Sequence, residues 1–386
     1  MKETLRTIFE KQFEPNPNTR FFFSPGRINL IGEHTDYNGG YVFPCALSIG
    51  NYGAISLRND KLIRLYSENL SEFGIITLNL INLNYQSSHG WANYAKGVIK
   101  ELLLRGYKIN QGFDIAILGN LPVSAGLSSS ASIELLISTM MNECFHLGIS
   151  KTDLALLSQK VENEYIHVNC GIMDQFVIAN GKEGHALLLD TAKLEYSLVS
   201  LDLKDYEIVI CNSKVKRGLV DSAYNERRQE CEAALIILQQ KLDIHFLCNI
   251  SIQEFNPYRN LFENPILLKR ATHVISENSR TLEAYSLLIK HDILGFGKLI
   301  TQSHQSLRDD FQVSCKELDG LVDLALNEGS LGSRMTGAGF GGCTINIVSK
   351  DRVEEFKKNV SRAYVGLFGI TPDILISYAS DGAKEI

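Results

Sequence analysis

A serine-rich stretch in the first half of the chain has the residue types of a phosphate-binding loop. Residues 121 to 132 have the sequence Leu-Pro-Val-Ser-Ala-Gly-Leu-Ser-Ser-Ser-Ala-Ser, and apolar residues at helical spacing follow it. Small residues before a helix let backbone N–H groups converge on an anion, which the positive end of the helix dipole also favours. The hydroxyls of Ser128, Ser129 and Ser130 could bind phosphate oxygens or a metal ion. The alternative is a helix N-terminus that serines merely cap, and the loop alone does not decide between the two.

The loop has no Gly-Lys-Ser or Gly-Lys-Thr, which excludes the Walker A mechanism of phosphate binding.

An earlier segment, residues 25 to 40, is dense in polar side chains and glycines. If exposed, these polar groups could supply the carboxylate and imidazole hydrogen bonds that sugar hydroxyls require. A solvated turn is the alternative, but interleaved aromatic residues favour a binding cleft. The polar residues are Arg27, Asn29, Glu33, His34 and Asp36.

Two further segments are less specific by themselves. Asp174 is an acidic residue in the apolar context of residues 170 to 176, where it could act as a base toward a hydroxyl or cap the following turn. The cap is the commoner role for such a residue. Residues 334 to 342 contain four glycines before an apolar strand, which allows close approach of the backbone to a ligand, although a simple turn is the commoner explanation.

The order of these segments resembles the small-molecule kinase superfamily of galactokinase, homoserine kinase, mevalonate kinase and phosphomevalonate kinase (GHMP kinases). Residues 24 to 40 are similar, without a gap, to the galactokinase signature within that superfamily. Residues 126 to 132 resemble its nucleotide-phosphate loop, 171 to 174 its catalytic-aspartate segment and 337 to 342 its third motif. Residues 91 to 94 and 222 to 228 also fit. Ile28 and the pair Ser124-Ala125 depart from the commonest pattern without disturbing an expected contact.

The resemblance implies a role for each matching residue. Asp174 would be the base or orienting group for the anomeric hydroxyl of a sugar, and Arg27 would pair with it and stabilise the transferring phosphoryl group. Ser130 and Glu162 would bind Mg²⁺, although a helical glutamate such as Glu162 could instead be merely solvated. The hexose would be held by Glu33, His34, Asp36, Gly171, Asp174 and Tyr224. ATP would be held by Gly126, Leu127, Ser128, Ser129, Ser130 and Ala131, with Trp91 near the adenine.

The implied reaction is phosphorylation of α-D-galactose by ATP at its anomeric hydroxyl, giving galactose 1-phosphate and ADP, the first committed step of galactose metabolism. One alternative is a 1-kinase for N-acetylgalactosamine or another sugar, but residues 35 to 40 favour unsubstituted galactose. A second alternative is a non-catalytic sensor of galactose and ATP. The full-length serine loop, together with Arg27 and Asp174, argues against a sensor.

Composition restricts the class of protein further. The net charge is −6, with neither a basic excess nor a Lys/Arg block, which argues against nucleic-acid or membrane-surface binding. Eight cysteines are scattered without a C-x-x-C pair, so zinc is not expected. Scattered cysteines in a chain of this size indicate a reducing compartment, and we expect a cytoplasmic location. We find no heptad repeat and expect a monomer with small-molecule substrates.

The elements that must position these residues follow from periodicity and turn signals. With 386 residues, two domains are expected, divided as 1–195 and 196–386. Helices and strands are not in strict βαβ alternation, which predicts an α+β fold. The resemblance implies a GHMP-kinase-like arrangement, with a mixed-sheet N-terminal domain, an α/β C-terminal domain and the active site in the cleft between them.

Local patterns predict the individual elements. We expect an N-terminal amphipathic helix, a short strand at 21–23 ending in a turn at 24–26, and two strands at 53–57 and 63–66 joined as a hairpin. A helix opened by Ser150 would carry Glu162. The other predicted elements are helices at 91–104 and about 223–242, further helices between 266 and 327, and strands at 113–118, 207–211 and 343–348.

Overall fold

A computed structural model describes residues 1–122, 125–215 and 220–386 of the chain, and in the last range the side chains from residue 222 onward. The α-helices are Lys2–Gln12 (α1), Ala92–Leu104 (α2), Ser129–Cys144 (α3), Lys151–Lys160 (α4), Met173–Asn180 (α5), Val220–Gln239 (α6), Ile252–Phe255 (α7), Pro265–Ile289 (α8), Ile293–Ser306 (α9), Lys316–Asn327 (α10) and Val353–Phe368 (α11). The strands are Arg20–Asn29 (β1), Tyr41–Val42 (β2), Pro44–Leu57 (β3), Leu62–Ser67 (β4), Ile76–Asn79 (β5), Phe113–Gly119 (β6), His185–Asp190 (β7), Glu195–Ser200 (β8), Tyr206–Asn212 (β9), Ser333–Thr336 (β10), Cys343–Ser349 (β11), Asp373–Ile376 (β12) and Lys384–Glu385 (β13).

The first half of the chain is built on a mixed six-stranded sheet with helices on both faces. The strand order is β13-β1-β3-β6-β4-β5, and the β4–β6 pair is parallel. Successive side chains of a strand point to opposite faces, so the Phe21 ring packs with α1 and the Phe22 ring with the core beneath α2, α3 and α5. This arrangement confirms the predicted mixed sheet.

Two local predictions about this sheet were wrong. The strand predicted to end at residue 23 continues as β1 to Asn29, because a register shift between Pro25 and Arg27 accommodates the proline within the pairing with β3. The predicted hairpin of β3 and β4 does not form, since β6 lies between them and pairs with both. The first error matters for the site, because β1 carries Arg27 directly to it.

The second half contains an antiparallel four-stranded sheet, in the order β10-β11-β9-β12. Helices α10 and α11 pack on this sheet, and α6 and α8 pack around a further core. The two sheets approach each other where Thr336 of β10 accepts a hydrogen bond from the backbone N–H of Asn29 in β1 at 3.0 Å. The α+β architecture is the predicted one.

The predicted domain division at 195/196 falls within β8, which pairs with β7 in a small sheet of the order β2-β7-β8. The C-terminal strand β13 returns to pair with β1. The division itself stays a prediction. No helix in the described ranges is long and apolar enough to cross a membrane.

The predicted N-terminal helix and α2, β6, β9 and β11 are confirmed within a few residues. The helix opened by Ser150 is also confirmed: the Ser150 side chain accepts a hydrogen bond from the backbone N–H of Asp153 at 3.1 Å. This helix ends at Lys160 and continues as one wider, π-helical turn, Val161–Ile166. Glu162 therefore lies on the π-helical turn, a feature that often marks functional sites.

Candidate active site

A cleft of about 240 Å³ opens at the junction of the two sheets. It brings together residues from all four segments that the sequence singled out, although they are far apart in the chain. The predicted site residues that line it are Arg27, Glu33, His34, Asp36, Gly126, Ser128, Ser129, Ser130, Glu162, Gly171, Asp174 and Tyr224.

Arg27 and Asp174 form a two-pronged ion pair in this cleft. The Nε and Nη2 atoms of Arg27 donate to the two carboxylate oxygens of Asp174 at 2.8 and 2.7 Å, and Nη1 donates to the carbonyl oxygen of Gly126 at 2.7 Å. The Arg27 residue is 4% exposed. Bidentate arginine–carboxylate pairs are strong and directional, so the position of Asp174 is fixed relative to the serine loop.

The serine loop leads into α3 through a strained residue. Ser128 has a left-handed backbone, with φ of 61°, at the position before the first residue of α3, and its hydroxyl donates to Asp174. Such a conformation costs a non-glycine residue about 1–3 kcal/mol and is commonly found at functional sites. Val123 and Ser124 of this loop lie outside the described residues.

Three predicted nucleotide contacts lie elsewhere. Leu127 and Ala131 are 2% and 0% exposed and pack in hydrophobic cores. Trp91 is 6% exposed and packs in the core under α2. None of the three is among the described residues that line the cleft. Their contacts with ATP stay predictions, and the buried indole N–H of Trp91 has no hydrogen-bond partner within the described part of the chain.

The sugar segment presents buried polar groups to the cleft. His34 is 5% exposed and has a left-handed backbone, with φ of 64°. Burial lowers the pKa of His34 to about 3, so its imidazole is neutral near pH 7. Nδ1 lies 2.9 Å from the hydroxyl of Tyr37, whereas Nε2 has no partner among the described atoms. A neutral imidazole of this kind can donate a hydrogen bond to a ligand hydroxyl or accept one from it.

Asp36 lies against Gly171, so the two predicted sugar contacts are neighbours. The Asp36 carboxylate accepts from the backbone N–H groups of Tyr37 and Met173 at 3.1 and 3.4 Å. Burial, and secondarily the Asp174 carboxylate, raise the pKa of Asp36 to about 6. A β-carbon at Gly171 would lie 1.8 Å from an Asp36 oxygen, so only glycine leaves room for this contact.

Glu162 is buried at 7% exposure and is not a solvated helix residue. Burial raises the pKa of Glu162 to about 7, opposed by a hydrogen bond from Ser130. The side-chain amide of Gln175 also donates to it, at 2.6 Å. No group of three His, Cys, Asp or Glu side chains in the described ranges forms a ready metal site. One carboxylate and one hydroxyl nevertheless suit Mg²⁺, which keeps several waters and uses substrate phosphates as ligands.

Sequence reasoning missed several polar residues around the site. Glu134 is fully buried in α3, and its Oε2 lies 3.4 Å from the same Gln175 amide. Arg334, also fully buried, lies 3.0 Å from Glu33. A glutamate in the apolar run of α3 was a visible signal. Arg334 belonged to a segment that the sequence singled out only for its glycines.

The fold and the site together define an ATP-dependent kinase of the GHMP class. Family models described as "GHMP kinases N terminal domain" and "GHMP kinases C terminal" match residues 93–182 and 284–366. The Methanococcus jannaschii mevalonate kinase has the same fold, with a TM-score of 0.70 over 95% of this chain and 100% of that chain, at 20% identity.

More specific matches narrow this class. A model described as "Galactokinase galactose-binding signature" matches residues 7–57. Galactokinases of Clostridium beijerinckii and Lactiplantibacillus plantarum are each 49% identical over 383 residues, covering 99% of this chain and 98% and 99% of theirs. The structure of Lactococcus lactis galactokinase complexed with galactose superposes with a TM-score of 0.97 at 43% identity, over 100% of both chains. The chain belongs to the galactokinase family.

Proposed function

We propose that this chain transfers the γ-phosphoryl group of ATP to the anomeric hydroxyl of α-D-galactose. The observation that carries this proposal is the Arg27–Asp174 ion pair, which lies between a polar sugar segment and a serine-rich anion loop in one cleft. Phosphoryl transfer asks a protein mainly for positioning and charge stabilisation, and this arrangement provides both.

In this mechanism Asp174 orients the anomeric hydroxyl and accepts its proton. Arg27 holds both carboxylate oxygens in place and puts a positive charge beside the phosphoryl group in transit. Ser128, whose hydroxyl contacts the same carboxylate, links the orientation of Asp174 to the loop that would receive the phosphates. Family resemblance and the contacts in the cleft both support these assignments.

Galactose would be bound by Glu33, His34, Asp36, Gly171 and Tyr224. Glu33 and Asp36 supply acceptors for hydroxyl groups, and the neutral imidazole of His34 supplies a further polar contact. The Tyr224 ring lies 5.5 Å from the His34 ring and bounds the same side of the cleft. Because Gly171 has no side chain, it leaves space for the Asp36 carboxylate to contact the sugar.

ATP would lie on Ser128, Ser129 and Ser130, with the backbone of Gly126, Leu127 and Ala131 beside its phosphates and Trp91 toward its adenine. Ser130 and Glu162 would hold Mg²⁺, which when bound neutralises charge on the phosphate oxygens. Because the metal requires Glu162 in its ionised form, metal binding and proton loss from Glu162 are coupled. We further propose a cytoplasmic monomer, since the scattered cysteines fit a reducing compartment and the sequence has no heptad repeat.

An ADP-release assay tests this function. The assay compares galactose, N-acetylgalactosamine, glucose and arabinose at equal concentrations. We expect turnover with galactose and much less with the other sugars. Faster turnover with N-acetylgalactosamine would favour the alternative sugar 1-kinase. No ADP release with any of the four sugars, in protein that binds ATP, would contradict the proposal and support the non-catalytic sensor.

A further inference from the structure

Arg334 is a fully buried cation on β10, behind the wall of the cleft. Its Nη2 lies 3.0 Å from Oε1 of Glu33, which is 2% exposed. Within the described ranges, Glu33 is the one carboxylate at ion-pair distance from this guanidinium. Burying an arginine is unfavourable unless a charge compensates it, so these two residues depend on each other.

The neighbouring buried carboxylate, Glu277 of α8, already has other partners. Arg280 donates to its Oε2 at 2.8 Å, and Ser303 and the backbone N–H of Gly32 donate to its Oε1 at 2.5 and 3.0 Å. These contacts satisfy Glu277, which adds negative charge near Arg334 without reaching ion-pair distance, so the direct partner of Arg334 is Glu33.

The other titratable groups facing this pair are two histidines, Arg27 and Asp36. Burial lowers the pKa of His34 to about 3 and that of His273 to about 4, so both imidazoles are neutral near pH 7. Arg27 is engaged by both oxygens of Asp174. Asp36 is an acid and adds negative charge near Glu33. The cation placed to stabilise Glu33 directly is therefore Arg334.

Three contacts of Glu33 fall on its Oε1 atom, and the side chain of Asn29 also lies beside this carboxylate. The backbone N–H of Gly337 donates to Oε1 at 2.7 Å, and the hydroxyl of Thr336 donates to it at 3.3 Å, beside the Arg334 contact. Glu33 also lines the cleft. With Oε1 held from behind, Oε2 is the oxygen that can meet a substrate.

We propose that Arg334 is a positioning residue for sugar binding, which holds the Oε1 atom of Glu33 from behind so that Oε2 accepts a hydrogen bond from a substrate hydroxyl. This inference rests on the proposed function, because it takes Glu33 to be a sugar ligand. It adds a residue that itself lies outside the cleft.

Removing the guanidinium of Arg334 should change the pKa of Glu33 in a defined direction. Burial raises the pKa of Glu33, and the charges of Arg334 and Arg27 oppose that rise. Without Arg334 the pKa of Glu33 rises further, so Glu33 takes up a proton, and loses an acceptor, at a higher pH than in the wild type. The KM for galactose falls as pH rises through this pKa, so the fall moves to higher pH in the variant.

The test is Arg334→Met, with Arg270→Met as the matched control. Arg270 is also buried, at 1% exposure, and pairs with Glu230 at 2.7 Å. For Arg334→Met we expect the KM for galactose to rise about 10- to 100-fold at neutral pH and to recover in alkaline buffer. The KM for ATP should stay within about 2-fold, since no phosphate contact is lost. Arg270→Met should lower thermal stability without moving the pH profile.

Two further variants keep the test decisive. Arg334→Lys retains a positive charge and should restore most of the wild-type pH profile, including in the case that Arg334→Met fails to fold. Adding Arg334→Met to Glu33→Gln should produce no further pH shift, because the titrating group is gone. An unshifted profile in the folded Arg334→Met variant overturns this inference while leaving the kinase function intact. Wild-type protein that releases no ADP with galactose contradicts the proposed function instead.

Discussion

At the residue scale, the proposed chemistry depends on the Asp174 carboxylate, which its neighbours hold in one orientation. Arg27 contacts both of its oxygens, and Ser128 donates to one of them. A carboxylate held in this way does not have to search for the geometry of proton transfer when the substrate arrives. It therefore contributes to the rate more than to the binding of ATP.

Replacing Asp174 with Ala removes the group that we propose accepts the proton, and it also leaves Arg27 without its carboxylate. We expect kcat to fall by at least about 1,000-fold, with ATP binding largely retained because the serine loop is intact. Coupled ADP release measures the first quantity and calorimetric titration with ATP the second. Asp174→Asn, which keeps the side-chain shape, should be similarly inactive. Full activity in either variant would show that Asp174 is not catalytic.

Gly171→Ala places a methyl group 1.8 Å from the Asp36 carboxylate, so that carboxylate must move. We expect the KM for galactose to rise by about 10-fold or more, equivalent to losing one charge-assisted hydrogen bond, with little change in the KM for ATP. Gly366→Ala is the matched control, because nothing lies within 4 Å of a β-carbon at that position in α11. Equal effects of the two substitutions on the KM for galactose would exclude the proposed contact.

At the element scale, sequence periodicity predicted elements whose signals are local. Helix α2 and strands β6, β9 and β11 are defined by runs of residues that need no distant partner to be recognised. The local sequence of β3 and β4 could not show that they are not paired with each other. Strand β6, more than forty residues further along the chain, lies between them, and its Phe113 pairs with Leu57 and Ile63. The role of Arg334 was invisible for the same reason, since its partner Glu33 is three hundred residues away.

Ser150 caps the N-terminus of α4, the helix that leads into the π-helical turn with Glu162. Replacing Ser150 with Ala removes the acceptor of the Asp153 N–H bond and should cost about 1 kcal/mol of stability. Urea unfolding measures this cost. Ser150→Thr retains the hydroxyl, which also donates to the Asp153 carboxylate at 2.6 Å, and should stay near wild type. Unchanged stability in the alanine variant would mean that tertiary packing alone determines where α4 begins.

At the scale of the whole molecule, the cleft exists only where distant parts of the chain meet. The hydrogen bonds between Asn29 and Thr336 join positions 307 residues apart, and the Arg27–Asp174 pair joins positions 147 apart. Galactose bound here would contact groups fixed by both sheets. Its binding energy therefore adds to the stability of the assembled molecule.

Galactose at about 100 times its Kd should stabilise the native state by about 2.7 kcal/mol and raise the Tm accordingly. Differential scanning fluorimetry with galactose, and with glucose as the matched control sugar, measures the shift. The increase should be much smaller in Gly171→Ala than in the wild type. A stabilisation by glucose equal to that by galactose would contradict the assignment of the cleft to galactose.

The long separation between Glu33 and Gly337 also determines the order in which the proposed sugar site forms during protein synthesis. Glu33 leaves the ribosome 304 residues before Gly337, whose backbone N–H completes its environment. At elongation rates of about 5–20 residues per second, this gap lasts roughly 15–60 s. Throughout that interval the nascent first half lacks this part of the proposed sugar site, so we expect that dissolved galactose does not assist its folding on the ribosome. Any rescue of a destabilised variant by the sugar must act on chains whose synthesis is nearly or fully complete.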